Sequence, residues 1–313
     1  MKQITNNMEI INKFSNSLTR KKLKEYVGLL YILPWIIGFS VFQLYPFIAS
    51  FIYSFTDFTM LNIPKFVGIK NYVDIFTKDF DFIQSMKATL IYVVLAVPLK
   101  LVFALFIAVV LNSKLKFINI FRTIYYIPSI LGSSVAVALI WRLMFMKKGV
   151  INEFLSYLHL PQPDWLGSPS GAMVTISLLT VWQFGSSMVI FLAGLKQIPN
   201  ELYEAGRVDG ASKPRMFLNI TIPLITPMVL FNLVMQMINS FQDFTSAFII
   251  TNGGPMKATY LYGMKLYMDG FYYFKMGYAC SLSWVLFVVI LIVTLVIFRS
   301  ANNWVFYEDG GKN

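Results

Sequence analysis

Six apolar runs of membrane-crossing length dominate this 313-residue chain, at about 27–55, 86–111, 122–145, 172–195, 219–245 and 277–299. A helix needs about 20 mainly apolar residues to cross a bilayer. Only helices and closed barrels satisfy their backbone groups there. The chain is therefore expected to be an all-α integral membrane protein with about six transmembrane helices. Composition agrees: 13% of residues are charged, against about 25% in soluble domains. The first run follows the basic stretch Arg20 to Lys24. It is far longer than a signal-peptide core of about 7–15 residues, so it reads as a span. It holds Pro34 and Pro46, which predicts a kink or an interfacial section.

Basic residues set the orientation. The N-terminus, the second and fourth connections and the C-terminus together carry 15 lysines and arginines; the three alternate connections carry 9. Both termini are thus expected in the cytoplasm. The same rule accounts for the net charge of +11 without nucleic acid. One cysteine, Cys280, and one histidine, His159, leave no internal disulfide and no Cys- or His-paired metal site. The expected organisation is a basic tail over 1–26, a membrane domain over 27–300 and a second tail over 301–313. Val150, Ile151, Phe154, Leu155 and Leu158 share one helical face. They predict a short helix on the outer surface. Ile10, Ile11, Phe14 and Leu18 have similar spacing and suggest that the N-terminal tail rests on the inner surface.

Between the fourth and fifth spans lies "EAGRVDGASKP", residues 204–214, on the expected cytoplasmic side. Asn200 can cap a short helix, with Glu201 and Glu204 favourable near its positive end. Leu202, Ala205 and Val208 give it an apolar edge. Gly210 is a natural stop, and Pro214 suits the first turn of the next helix. From the residues alone the alternatives are a knob built for a partner and an ordinary solvated loop.

The longer stretch "EAGRVDGASKPRMFLNITIPLITP" resembles the EAA motif of binding-protein-dependent ABC importer permeases. Glu204, Ala205, Asp209, Gly210, Ala211, Phe217, Ile220, Pro223 and Pro227 match its pattern. Gly206 replaces an alanine and Ile222 a leucine. "FRTIYYIPSILGSSVAVALIWRLMF" (121–145), "GVINEFL" (149–155) and "TNGGP" (251–255) are similar to the sugar-transporting branch. The resemblance implies a type I importer permease fold in a bacterial or archaeal cell membrane. It implies a helix over about 200–211 that docks into a groove on an ATPase subunit through Glu204, Ala205, Asp209, Gly210 and Ala211. It further implies two cytoplasmic ATPase subunits, a second homologous permease forming a heterodimer, and an extracytoplasmic sugar-binding protein. Glycerol phosphate remains an alternative solute.

The chain itself has no phosphate-binding loop. Its only Gly-Lys step, Gly311-Lys312, lacks the upstream glycine and the following Ser or Thr. ATP and magnesium are therefore expected on partner subunits, with no cofactor and no catalysis here. An ion-coupled secondary transporter would instead need intramembrane carboxylates and matched halves. A membrane scaffold or receptor is the remaining rival.

The candidate pathway lies on span five. Asn232, Gln236, Asn239 and Asp243 recur at helical spacing and share one face. Amides both donate to and accept from sugar hydroxyls, although they also join helix to helix. Trp182 offers an indole face for a sugar ring or for packing, beside Gln183, Ser186 and Ser187. Ser129, Ser133 and Ser134 suit close helix packing. Lys100 lies 11 residues from the end of span two, about 17 Å along the axis. That is too far for snorkelling, so it should face protein or water.

Overall fold

The computed structural model describes residues 31–113, 116–132 and 134–306. The expected N-terminal tail over 1–26 lies outside that range; of the expected tail over 301–313 residues 301–306 are described, and Ala301–Trp304 continue the last helix. All regular elements among the described residues are helical; one isolated bridge pairs Thr56 with Phe66. In chain order the helices are α1 (Tyr31–Ser54), α2 (Lys70–Thr77), α3 (Phe80–Leu111), α4 (Ile118–Leu131), α5 (Val135–Met144) and α6 (Val150–Tyr157). There follow α7 (Pro169–Trp182), α8 (Gly185–Gln197), α9 (Asn200–Val208), α10 (Lys213–Phe241), α11 (Tyr262–Tyr267) and α12 (Met276–Trp304). Helices α1, α3, α10 and α12 are each long and apolar enough to cross a membrane. The pairs α4–α5 and α7–α8 reach that length and apolarity only when each pair is taken together, so the described residues hold four such spans, or six if each bent pair is one.

The bends are a correction to the straight runs read from hydropathy. Helices α4 and α5 turn by 104° around Gly132, and α7 and α8 by 46° around Gln183. Gly132 has φ +55°, a conformation that costs a glycine little. The expected kink in span one is milder. Helix α1 is continuous and absorbs Pro46 through a widened π turn at Ser40–Leu44, because proline has no N–H for the regular ladder. Helix α10 does the same at Phe217–Thr221, ahead of Pro223.

Helix α3 is the central post. Its Val97, Leu101 and Ala104 join Met188 and Phe191 of α8, Ile225 and Met237 of α10, and Leu282 of α12 in one buried cluster. A second cluster joins Tyr92 and Ala96 to Ala138 of α5 and to Ile176 and Leu179 of α7. Lipid tails are as apolar as these side chains, so close fit rather than expulsion from water holds the helices. Small residues make that fit possible. A Cβ on Gly185 would lie 2.7 Å from the Tyr125 carbonyl oxygen and 2.8 Å from Ser129 Oγ. Helix α1 is peripheral, and none of its most apolar stretch is buried. It leans on α12 through Phe47 and Phe51, whose rings lie 4.8 and 4.7 Å from that of Trp284.

Candidate functional site

Where the bent spans meet α3 and α10, a polar cavity of about 350 Å³ opens. The helix breaks build one wall. Breaking α7 at Gln183 frees its carbonyl, which accepts from Ser129 Oγ at 3.1 Å. Ser129 in turn accepts from the Ser186 N–H at 2.9 Å, while Gln183 Nε2 donates to the Gly132 carbonyl at 3.0 Å. The two bends are thus stitched together by the side chains that face the cavity. Ser134 also lines it; Ser133 lies outside the described residues.

Helix α10 supplies the opposite wall through Gln236, Asn239 and Ser240, followed by Asp243 just beyond the helix end. The amides of Gln236 and Asn239 have no protein hydrogen-bond partner among the described residues. Asp243 accepts from Tyr92 Oη at 2.6 Å and from the Ser246 hydroxyl. The same Tyr92 oxygen sits 2.6 Å from Thr180 Oγ1. Lys100 of α3 completes the lining. It is 6% exposed, and no carboxylate among the described residues lies within 4.0 Å of it.

The structure thus brings together Gln183, Gln236, Asn239 and Asp243 from the sequence-based candidates. It does not bring Asn232 or Trp182 to this wall. Asn232 is fully buried with both amide atoms unpartnered, so the polar face of α10 runs from packed interior into cavity. Trp182 stands against Trp141, ring centroids 5.8 Å apart. Tyr92, Thr180 and Ser246 were not candidates. Tyr92 and Thr180 are single polar residues in apolar settings, and Ser246 lies in a short polar stretch beyond the end of α10, so none carries a periodic signal.

At the end of the bundle reached by α8 and left by α10, helix α9 (Asn200–Val208) lies within the expected 200–211 segment. One detail differs: Pro199, not Asn200, occupies the capping position, and no side chain caps the helix. Its stop is as expected. Gly210 has φ +76°; its N–H donates to the Arg207 carbonyl at 3.0 Å, and the Ala211 N–H to the Gly206 carbonyl at 2.8 Å. These are the paired bonds of a Schellman stop. The inner side of α9 is anchored, with Tyr203 Oη 2.8 Å from Thr221 Oγ1. The outer side is free: Glu204, Ala205 and Asp209 are exposed, and Val208 is 88% exposed.

At the opposite end a wider cleft of about 750 Å³ contains Asp79, Lys265, Asp269 and Tyr278. Lys265 is 2.6 Å from Asp79 and 2.9 Å from Asp269. Burial works against the Lys265 charge, but the two carboxylates overcome it and raise its pKa above the ordinary 10.5. No His, Cys, Asp and Glu cluster suited to a metal ion occurs among the described residues.

Residues 81–305 match the family described as the binding-protein-dependent transport system inner membrane component. Over 300 residues the chain is 46% identical to the probable ABC transporter permease protein YesP of Bacillus subtilis (strain 168), covering 95% of this chain and 96% of the relative. It is 32% identical to the arabinooligosaccharides transport system permease protein AraP of the same organism, covering 90% of each. Its fold matches a chain of a bacterial ABC transporter involved in import of the acidic polysaccharide alginate. The TM-score is 0.78 at 22% identity, over 91% of this chain and 98% of that one. These likenesses displace the ion-coupled and scaffold alternatives. The chain belongs to the multi-pass inner membrane components of binding-protein-dependent ABC transport systems.

Proposed function

We propose that this chain forms half of the translocation pathway of an ATP-driven importer for oligosaccharides or disaccharides. The observation that carries this reading is the cavity wall of amides and hydroxyls from Gln183, Ser129, Gln236 and Asn239. Such groups match the mixed donors and acceptors of a sugar. They are costly within a bilayer unless something uses them. Relatives named for arabinooligosaccharide and lactose transport support the same substrate class.

A second permease, a distinct homologue, would close the open side of the cavity. Two cytoplasmic ATPase subunits would bind ATP and magnesium, and a binding protein would deliver sugar at the outer face. Helix α9 would transmit the ATPase motion through Glu204 and the Gly210 turn. Coupling requires ATP to favour the outward-open arrangement by its differential affinity.

The test is sugar-stimulated ATP hydrolysis by the reconstituted complex. Glu204→Ala removes an exposed carboxylate from the docking face. Gly210→Pro cannot adopt the positive φ. Each should lower stimulated hydrolysis by at least about tenfold, equivalent to about 1.4 kcal/mol of coupling. Normal sugar-coupled turnover in both variants would remove α9 from the coupling path.

A further inference from the structure

We propose that the transported sugar carries a carboxylate, as a uronic acid does, and that Lys100 is the group that holds it. This deepens the sugar-import reading above and rests on it. Lys100 lies on α3, 11 positions before the helix end at Leu111, too far for its ammonium to reach an interface. It is 6% exposed yet lines the cavity, and no carboxylate among the described residues comes within 4.0 Å. The acid in the same wall, Asp243, is turned to Tyr92 Oη and the Ser246 hydroxyl. The other polar groups nearby, Gln183, Gln236 and Asn239, are neutral.

The cavity therefore presents one directly unpaired ammonium among groups suited to hydroxyls. Asp243 acts on Lys100 only from beyond 4.0 Å; a substrate carboxylate would give the ammonium a direct partner, and the amides and hydroxyls would read the rest of the ring. A phosphate monoester fits less well. Its charge of about −1.5 to −2 exceeds that of one lysine, and the excess would face Asp243.

The experiment uses proteoliposomes carrying the whole transporter with its binding protein. The probes are digalacturonate, its dimethyl ester, the neutral disaccharide galactobiose and a sugar phosphate. The wild type should import digalacturonate at least about tenfold faster than the ester, the effect of about 1.4 kcal/mol in selectivity. Lys100→Met should bring that ratio close to one, and Lys100→Arg should retain most of it. The ratio is internal to each preparation, so a low yield of protein does not imitate the result. Lys100→Gln provides the same comparison if the methionine variant does not assemble. Wild-type import of galactobiose but not digalacturonate overturns the carboxylate inference and leaves sugar import standing. So does a full acid preference in Lys100→Met and Lys100→Gln, which would place selectivity in the binding protein. Preferred import of the sugar phosphate overturns the inference as well. Import of none of the probes overturns this inference, and refusal of arabinooligosaccharide and lactose added as further probes overturns the sugar reading with it.

Discussion

At the scale of single residues, Asp79 joins three elements through one carboxylate. It caps α3 by accepting from the Phe82 N–H at 3.0 Å, pairs with Lys265 of α11, and accepts from Tyr278 Oη of α12 at 2.5 Å. Burial alone would raise its pKa, but the Lys265 and Tyr278 hydrogen bonds outweigh burial and hold it below the ordinary 3.8. A carboxylate depressed in this way stabilises the fold above the ordinary value, and the contribution is lost as pH falls through the depressed one. Lys265 has the opposite sign: its raised pKa gives stability that is complete below 10.5 and lost as pH climbs through the raised value. The pair therefore holds across the neutral range. Asp79→Asn keeps a good helix cap and removes the charge. Melting of the detergent-solubilised chain should show a wild-type advantage of about 2 kcal/mol at neutral pH. That is below the full cost of orphaning a buried ion, because Asp269 still holds Lys265. The advantage should close as pH falls below about 3.8; an advantage that persists unchanged at lower pH would mean the charge does not matter. None of this was legible in the sequence. Lys265 reads there as one more loop cation, since nothing local links it to Asp79.

At the scale of elements, the apolar runs read from hydropathy coincide with four long helices and two bent helix pairs, and the bends were not foreseen. A window average over 122–145 or 172–195 is the same for a straight helix and for two apolar halves at an angle. The signals that do exist are local ones, such as Gly132 with its positive φ and the serines around the breaks. Gly206 was legible in a different way. It departs from the alanine of the family pattern, and the structure shows that an added Cβ would meet Met216 and Ile220 at 3.4 Å, an ordinary contact. Neighbouring atoms therefore do not require glycine there. Gly185 is the contrasting case, because two of its nearest neighbours, the Tyr125 carbonyl oxygen and Tyr126 Cα, are backbone atoms of α4 that cannot move aside cheaply. Gly185→Ala should separate α8 from α4 and disturb the Ser129 and Gln183 stitches, at a cost of about 1–3 kcal/mol typical of overpacking. Gly38→Ala on α1, where an added Cβ meets nothing within 4 Å, is the control. Thermal melting of the two variants side by side checks this, and equal stability would show that the close approach at Gly185 is not required.

At the scale of the whole molecule, class and topology were legible because the bilayer permits so few solutions. The cavity was only half legible. Helical spacing correctly grouped Gln236, Asn239 and Asp243, yet the same spacing included Asn232, which packs inside. A cavity wall is contributed by several spans, and one helix's periodicity cannot say where along its length the neighbours part. The expected orientation rests on a charge bias of 15 basic residues against 9, and it would put α9 in the cytoplasm, as the proposed coupling role requires. The chain offers a clean test, because Cys280 is its only cysteine. In a Cys280→Ser background, Val208→Cys on α9 and Met256→Cys in the connection after α10 introduce single thiols at positions 88% and 81% exposed. The single span between them, α10, puts these residues at opposite ends of the bundle. A membrane-impermeant maleimide applied to intact cells (with any outer envelope permeabilised) should label position 256 and spare 208. Opening the cytoplasmic membrane should then label both. The partners do not blur the contrast if the reaction is repeated on the chain expressed without them, since a docked ATPase could shield 208 but could not move it across the bilayer. Labelling of 208 in intact cells with sparing of 256 would invert the molecule, and α9 could then no longer receive motion from a cytoplasmic ATPase.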